Sequence, residues 1–417
     1  MFTMSHLWQF FFILSLWSSL AVAGKIEKNE ISADGYLEII SKTIAKDGSF
    51  VYVACDPKEP ATSLSCKVVF GEWANGNVLK VKDKCNFHKE LKGNKHLDDN
   101  LKMKVKFLSN NKKAVVSWSE TTGVNIYQHV VFVEVPKCTI KYLSFTQDTS
   151  SIFPDNLIMY EDKFDVVTSD TSVCKHGGLL HRGLSLFTRS KPNGCRVRYD
   201  ENGNPTGKTE YFYPNMRNFG VTPVSQSVAA EGFVVYGWEK YGDKSLTMEY
   251  MSKSGDIEEK IKSDINGSEE SLLITISNMH EKLSICAYDS KSKSSSKLQC
   301  YQYLKEDLVK LNPVLKKGYD YSNGIDGISV LNLPGKKFII TAIENDSNPR
   351  STSKYLGMML YERGGPSVEL FKEKIDTPCK ESDLISYDNG NSICSYLLCS
   401  KDKSKNSLNF HKACVPK

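Results

Sequence analysis

Few side chains in this sequence stand at the spacings that catalysis or metal binding requires. The one compact group of metal-ligating residue types is Cys174, His176 and His181, within segment 174–183. Structural zinc sites use such ligands, but a cysteine in an oxidising compartment is more often disulfide-bonded. The sequence contains no Gly-x-Ser-x-Gly elbow, no His-Glu-x-x-His pair and no Gly-rich phosphate loop. We therefore expect no catalytic residue, no metal and no cofactor.

Acidic residues recur at the end of a short apolar segment. Apolar heptapeptides begin at residues 50, 114, 164, 233, 283, 338 and 393, at intervals of about 50 to 70 residues. All but the last end in an acid: Asp56, Glu120, Asp170, Glu239, Asp289 and Glu344. In a circular arrangement of the repeats these carboxylates would form a ring on one face, suited to a cation or a basic partner. Alternatively, each acid caps the polar loop that it opens by accepting backbone hydrogen bonds.

An insertion before the fourth heptapeptide has the composition of a binding surface. It contains Tyr211, Phe212, Tyr213, Arg217 and Phe219. Aromatic and arginine side chains are typical of interface hot spots and of surfaces that stack on sugars. The alternative is that residues 211–213 form the outer strand of a sheet, which leaves Arg217 and Phe219 exposed.

Lysines are clustered in segments 289–297, 347–354 and 400–407. Together with the formal net charge of +5 they indicate contact with polyanions such as glycosaminoglycans or an anionic membrane surface. Solvated loops are the alternative interpretation.

The heptapeptides belong to a larger repeat that predicts four-stranded antiparallel sheets. In the sixth repeat the segments GISVLNL, FIITAIE, YLGMMLYER and SVELFKEK are rich in strand-forming residues and are separated by polar or Gly- and Pro-containing turns. The heptapeptide is the second strand of each repeat. Third strands are predicted to begin at residues 66, 127, 183, 245, 297, 355 and 407. The last repeat has no room for a fourth strand, whereas segment 25–32 has no partner in the first repeat.

These observations predict an all-β fold, a seven-bladed β-propeller of four-stranded antiparallel blades. Isolated sheets bury their apolar faces by stacking radially, and pairing of segment 25–32 with the last repeat closes the ring. At the level of architecture the chain resembles secreted β-propeller proteins. Segment 386–393 also resembles the Asp-box of sialidase-type propellers, but an ordinary Asn-Gly hairpin turn explains residues 388–391.

The first residues indicate secretion. An apolar stretch over residues 7–20 is followed by the small-residue pattern Ala21, Val22, Ala23, so we expect a signal peptide over 1–23 and a single propeller domain over 24–417. No later segment has the roughly 18 apolar residues of a membrane span, and the tail has no hydrophobic stretch for a lipid anchor.

The twelve cysteines of a secreted chain predict up to six disulfides. The strand pattern pairs Cys55 with Cys66 and Cys286 with Cys300, and less directly Cys85 with Cys138 and Cys174 with Cys195. Cys414 faces either Cys394 or Cys399, and Cys379 takes the one that remains. The sequons at Asn266 and Asn345 fall in predicted loops and predict glycosylation.

We therefore expect a secreted, disulfide-stabilised, non-catalytic and monomeric binding protein. Its partner would be an extracellular protein or glycan bound through one propeller face, not nucleic acid. The abundance of Lys, Asn, Ser and Tyr suits an exocrine product such as a venom or salivary component. An extracellular glycan hydrolase or lyase that uses the central pocket is the alternative, and a structural or storage protein is a third. An enzyme needs convergent acids, His or Arg on the first strands, whereas GISVLNL and SLLITIS are apolar and neutral.

Overall fold

The computed structural model shows an all-β chain. It describes residues 26–34, 37–58, 62–74, 78–91, 103–108, 112–122, 125–147, 157–159, 163–168, 194–206, 210–212, 217–223, 233–238, 245–251, 257–266, 272–277, 282–289, 298–304, 307–311, 324–348, 350–362, 367–375, 379–400 and 406–417. Within these ranges the regular elements are β-strands, labelled β1–β28 in chain order. Among them there is no helix with the length and apolarity to cross a membrane. The predicted signal peptide lies outside the described residues.

Six antiparallel sheets each consist of four consecutive strands, paired in chain order. Sheet 1 contains β2 (Glu38–Ile44), β3 (Ser49–Cys55), β4 (Ser63–Ala74) and β5 (Val78–Glu90), and sheet 2 contains β6 (Lys104–Phe107), β7 (Lys113–Thr122), β8 (Asn125–Glu134) and β9 (Thr139–Gln147). Sheet 3 contains β10 (Leu157–Met159), β11 (Lys163–Thr168), β12 (Gly194–Asp200) and β13 (Glu210–Phe212), and sheet 4 contains β14 (Arg217–Pro223), β15 (Phe233–Trp238), β16 (Ser245–Met251) and β17 (Ile257–Asn266). Sheet 5 contains β18 (Leu272–Ser277), β19 (Lys282–Asp289), β20 (Leu298–Leu304) and β21 (Asp307–Leu311), and sheet 6 contains β22 (Ile325–Asn332), β23 (Lys337–Asn345), β24 (Lys354–Glu362) and β25 (Val368–Ile375).

The terminal sheet combines the two ends of the described chain. It contains β26 (Lys380–Asp388), β27 (Ser392–Ser400), β28 (Ser407–Pro416) and β1 (Glu27–Ser32), in the order β1-β28-β27-β26. β1 runs antiparallel to β28, with Glu27 opposite Lys412 and Ser32 opposite Ser407. The backbone N–H of Ala33 extends this pairing by donating to the Asn406 carbonyl at 2.6 Å. The pairing between chain ends that the sequence predicts is therefore present.

The recurring heptapeptides form the second strand of each sheet. Residues 338–344 of β23 are buried on both sides of the strand, and β27 is buried from Ile393 onwards. The outer strand β25 instead alternates between exposed and buried residues. A strand that is covered on both faces is apolar without alternation, which is why these segments stand out in the sequence.

The hydrophobic cores lie between neighbouring sheets. Clusters of buried side chains join sheet 1 to sheet 2, sheet 2 to sheet 3, sheet 5 to sheet 6, sheet 6 to the terminal sheet, and the terminal sheet to sheet 1. In the last cluster the rings of Phe50 and Phe410 meet edge to face with centroids 4.7 Å apart. Each fully buried side chain of this size stabilises the fold by about 1.5–3 kcal/mol. The sheets thus stack on one another in a propeller-like arrangement.

Hydrogen bonds between first strands reinforce this stacking. In each, a backbone N–H on the first strand of one sheet donates to a side-chain oxygen on the first strand of the preceding sheet. We call these bonds inter-sheet latches; they run from Val105 to Ser41 (3.1 Å), Val330 to Thr275 (3.2 Å), Asn332 to Ser277 (3.2 Å), Ser386 to Ser329 (3.1 Å) and Ile44 to Asp383 (3.0 Å). The latch at Asp383 joins sheet 1 to the terminal sheet, with a carboxylate where the other latches have a hydroxyl.

One strand prediction was wrong. The third strand of sheet 3 is β12, residues 194–200, and not the segment that begins at Gly183, which lies outside the described residues. β12 contains two arginines, Arg196 and Arg198. Both guanidinium groups reach the buried Asp165 carboxylate on β11, at 3.3 and 2.9 Å. The opposite charge across the ladder permits burial, because a paired charge costs far less to bury than an isolated one.

Disulfides connect strands within sheets and, in one case, across sheets. Cys55–Cys66, Cys286–Cys300 and Cys394–Cys414 each join directly opposed residues of the second and third strands. Cys379–Cys399 ties the start of the terminal sheet to β27, and Cys85–Cys138 links sheet 1 to sheet 2. These pairs agree with the strand pattern of the sequence and settle its open choice at Cys414. Cys195 is also disulfide-bonded, and Cys174 lies outside the described residues. The disulfides fit an extracellular protein.

Candidate functional site

The loop between β23 and β24 spans residues 346–353, and its described residues, 346–348 and 350–353, are joined by hydrogen bonds within the loop. Its ends are joined by the bond from the Asp346 N–H to the Ser353 carbonyl, at 3.1 Å. The Asp346 carboxylate accepts from the Asn348 N–H at 3.1 Å, and the Asn348 side chain accepts from the Arg350 N–H at 3.0 Å. The side chains of Ser347, Asn348, Arg350 and Thr352 are exposed. The loop is therefore a shaped polar surface.

Electrostatics support this loop conformation. The Asn348 N–H, followed by the Ser351 side chain, lowers the pKa of Asp346 below its usual value, so the carboxylate stays charged and bonded at neutral pH. At the base of the loop, the Lys354 ammonium contacts the Asp326 carboxylate and the carbonyl of Cys379. The loop is thus anchored both to sheet 6 and to the start of the terminal sheet.

The acids that end the second strands have local partners wherever their side chains are described. Asp56 accepts from the Lys58 N–H at 2.8 Å, as a loop cap does. Glu344 is buried and contacts the Lys372 ammonium on β25 of its own sheet. Glu120 is buried against His129. Asp56 therefore caps its loop, as the alternative interpretation predicts, whereas Glu344 and Glu120 pair with side chains of their own sheets. Asp289 is the last residue of β19, and Asp170 and Glu239 lie outside the described residues.

A polar row that sequence reasoning missed crosses sheet 2. Nε2 of His129 on β8 is 2.9 Å from Oε2 of Glu120 on β7, and Nδ1 of His129 is 3.1 Å from Oγ of Ser144 on β9. The Trp118 ring covers the imidazole, with centroids 5.1 Å apart. Glu120 and His129 are buried, whereas Ser144 is exposed. No sequence motif gives this row, because it depends on the register of three strands.

The first strands use several of their polar side chains for assembly. Ser41, Thr275 and Ser329 accept latch hydrogen bonds, and Ser382 Oγ donates to the Asp326 carbonyl at 3.1 Å. Asp383 accepts from the Ile44 N–H. Burial raises the pKa of Asp383, and the Thr43 side chain and the Ile44 N–H oppose that shift. These groups are engaged between sheets.

The aromatic segment is divided between two sheets. Tyr211 and Phe212 lie on β13, the outer strand of sheet 3, as the packing alternative predicts. Arg217 and Phe219 lie on β14, the first strand of sheet 4, so their expected place in a connecting insertion was wrong. Tyr213 lies outside the described residues. The structure therefore does not gather the five residues on one element.

The remaining predicted positions are as follows. Residues 388–391 form a hairpin turn between β26 and β27, in which Asp388 accepts from the Gly390 N–H at 2.8 Å and Gly390 has φ +94°. Asn266 and Asn345 are the last residues of β17 and β23, and not loop residues as expected.

The Cys174, His176 and His181 group lies outside the described residues, and elsewhere in the described chain no group of three potential ligands was found. Most of the lysine-rich segments 289–297 and 400–407 are also outside.

Comparison with known proteins identifies a fold likeness and no family. No protein-family model and no curated protein matches the chain. Among solved structures, the chain is similar to a polysaccharide lyase of a new family, an ulvan lyase bound to -[GlcA(1-4)Rha3S]-, with a TM-score of 0.51 and 9% identity over 93% of this chain and 96% of the lyase. At this identity the likeness shows the fold alone.

Two peptidases are also similar over part of their length. They are the acylaminoacyl peptidase of Pyrococcus horikoshii (TM-score 0.41, 10% identity, 87% of this chain and 49% of the peptidase) and prolyl oligopeptidase B from Galerina marginata (TM-score 0.43, 11% identity, 88% and 48%). This chain spans about half the length of either peptidase. At these scores the likeness carries no functional argument.

Proposed function

We propose that this chain is a secreted binding protein built as a closed seven-bladed β-propeller whose central pocket is not catalytic. It recognises an extracellular protein or glycan through the loop face, the edge of the sheets where second strands end and third strands begin. The six consecutive sheets and the terminal sheet are the seven blades, and the β1–β28 pairing closes the ring. Contacts between first strands, among them β2 with β6 and with β26, and β22 with β18 and with β26, support this arrangement. The disulfides and the lysine-rich composition support an exocrine, extracellular product.

The observation that carries the binding proposal is the self-braced loop 346–353. A loop that is already fixed in one conformation loses little entropy on binding, so its contacts contribute more fully to affinity. The exposed hydroxyl, amide and guanidinium groups of this loop are adaptable hydrogen-bonding groups, and Arg350 adds a positive charge. The expected partner is polar and at least partly acidic.

A glycan hydrolase or lyase in the central pocket is not favoured by a specific observation. It would need acidic, basic or imidazole groups that converge from the first strands and are available to a substrate. In the described part of these strands, Ser41, Thr275, Ser329 and Asp383 instead hold neighbouring sheets together.

Charge reversal at the two ends of the sheet 6 strands tests the proposal. The mature protein and its Arg350→Glu and Lys336→Glu variants are immobilised and incubated with the extracellular fluid of the source, and the retained material is compared. In a second experiment the same three proteins are applied to a glycan array. Lys336 is the matched control, since it is an exposed cation in the turn between β22 and β23, at the opposite end of the same strands.

We expect Arg350→Glu to lower retention of the partner about 10-fold or more, which corresponds to the loss of one good charged contact. Lys336→Glu should leave retention unchanged. Equal binding by the two variants would contradict recognition through the loop face. So would the absence of both a partner retained from the fluid and a glycan bound on the array.

A further inference from the structure

The Glu120–His129–Ser144 row has the connectivity of an activated serine. A carboxylate accepts hydrogen bonds, so the His129 tautomer that satisfies both contacts has its proton on Nε2, which donates to Oε2 of Glu120. In that tautomer Nδ1 accepts from the Ser144 hydroxyl. A base oriented by an acid and bonded to an exposed hydroxyl is the arrangement that activates nucleophilic serines.

The position of Ser144 leaves room for a reacting group. β9 is the outermost strand of sheet 2, so every second backbone N–H along it points away from β8. Either the Ser144 N–H or the N–H groups of both its neighbours therefore face outward, at the open edge of the sheet. Backbone N–H groups near a nucleophile are the donors that stabilise the oxyanion of a tetrahedral intermediate.

The surroundings of Ser144 indicate a substrate class. Tyr142 lies two residues earlier on the same side of β9 and is 44% exposed. The Lys89 ammonium is 5.8 Å from the centroid of this ring. An exposed aromatic ring beside a cation suits stacking of a small aromatic group.

We propose that Ser144 is the nucleophile of a second site, which cleaves small aryl esters. This site lies on the flank of sheet 2, away from loop 346–353, so it can be present with or without a partner on the loop face. Ser144 Oγ attacks the ester carbonyl carbon while its proton passes to His129 Nδ1. The intermediate collapses, the phenolate takes up that proton and departs as the phenol, and acyl-Ser144 remains. Water then attacks the acyl carbon and gives a proton to Nδ1. Collapse of this second intermediate releases the carboxylic acid, and Nδ1 returns the proton to Ser144 Oγ.

A second Ser–His pair in sheet 1 provides an internal control. Ser65 Oγ is 2.8 Å from His88 Nδ1, and the two residues lie opposite each other on β4 and β5. In this pair the serine is on the third strand and the histidine on the fourth, whereas His129 is on the third strand of sheet 2 and Ser144 on the fourth. Among the contacts of His88 with the described residues there is no carboxylate in the place of Glu120. If a neighbouring histidine alone were enough to make a serine reactive, both Ser65 and Ser144 would be modified.

The test is covalent labelling of the intact mature protein with a fluorophosphonate probe, mapped by mass spectrometry, together with p-nitrophenyl acetate hydrolysis. We expect an adduct at Ser144 and none at Ser65. Ser144→Ala should abolish both signals and Ser65→Ala neither. His129→Gln should slow labelling about 100-fold or more, since it removes the general base.

Glu120 acts through His129 and is a positioning residue. Glu120→Gln should lower the pH at which labelling reaches half its maximum, because the imidazolium loses its anionic neighbour. Absence of an adduct at Ser144, comparable labelling of Ser65, or hydrolysis that survives Ser144→Ala would each overturn the proposal. Ser144 is exposed, so its variant tests the proposal even if the buried Glu120 and His129 variants do not fold.

Discussion

Asp34 and Asp383 are two acids at the junction of sheet 1 with the terminal sheet, and their surroundings differ. Asp34 follows β1 and is bonded to the ammonium groups of Lys67 and Lys84, at 2.7 and 2.8 Å. These bonds lower its pKa to about 2. Asp383 is buried, which raises its pKa. The same junction therefore contains one carboxylate that favours its charged form and one that favours its neutral form.

For Asp34 the pH dependence follows from its lowered pKa. The unfolded chain binds the proton more tightly, so the contribution of Asp34 to stability is present above about pH 4 and is lost as the pH falls towards about 2. Asp34→Asn should remove this dependence, and at neutral pH should cost less than about 1 kcal/mol, because the ion pairs are exposed. Urea unfolding of both proteins across this range measures the difference. Parallel curves for the two proteins would contradict the assignment.

For Asp383 the sign is opposite. Its raised pKa means that the folded protein binds the proton more tightly than the unfolded chain does. The contribution of Asp383 to stability is therefore fully present below the pKa of the unfolded chain and is lost as the pH rises through the pKa of the folded protein. Asp383→Asn keeps an acceptor for the Ile44 N–H and should be at least as stable as the wild type at neutral pH. Asp383→Ala should cost about 1–3 kcal/mol at any pH because that N–H loses its partner. If Asp383→Asn were destabilised and Asp383→Ala were not, the hydrogen bond from the Ile44 N–H to Asp383 would not contribute to stability as described.

At the scale of elements, Cys85–Cys138 is the disulfide of the described chain that links two different sheets. It closes a loop of 53 residues, against 11 for Cys55–Cys66 within sheet 1. From loop entropy, removal should cost about 4 kcal/mol for the first and about 3 kcal/mol for the second. The paired Cys→Ala variants, compared by denaturant unfolding, measure both. A larger loss for Cys55–Cys66 would mean that sheets 1 and 2 are held together mainly by their packed side chains.

Strands that are apolar on both faces can be predicted from the sequence. Strands that depend on a buried ion pair, and contacts that depend on strand register, cannot. The second strands recur as apolar heptapeptides, and among them β3, β23 and β27 are buried on both faces. β12 was not predicted; its Arg198 lies opposite Asp165, and Arg196 also reaches that buried carboxylate. The Glu120–His129–Ser144 row could not be predicted, since the alignment of β7, β8 and β9 that places His129 opposite Ser144 is a property of the folded sheet. The latches likewise depend on how neighbouring sheets meet.

At the scale of the whole molecule, the N-terminal strand is the element on which the account depends. β1 completes the terminal sheet, contacts β5 of sheet 1, and is preceded by the Ile26 N–H, which donates to Glu373 of sheet 6 at 3.3 Å. It therefore touches three sheets at once. In a closed ring, loss of this strand should destabilise sheet 1 and sheet 6 together and not the terminal sheet alone.

Native-state hydrogen exchange of the β1 amides tests closure most directly. We expect the amides of residues 27–32 that face β28 to be protected, and to lose protection at the same denaturant concentration as those of residues 407–412. Exchange of residues 27–32 at the rate of an unstructured peptide, while β27 and β28 remain protected, would contradict a propeller closed by its N-terminal strand.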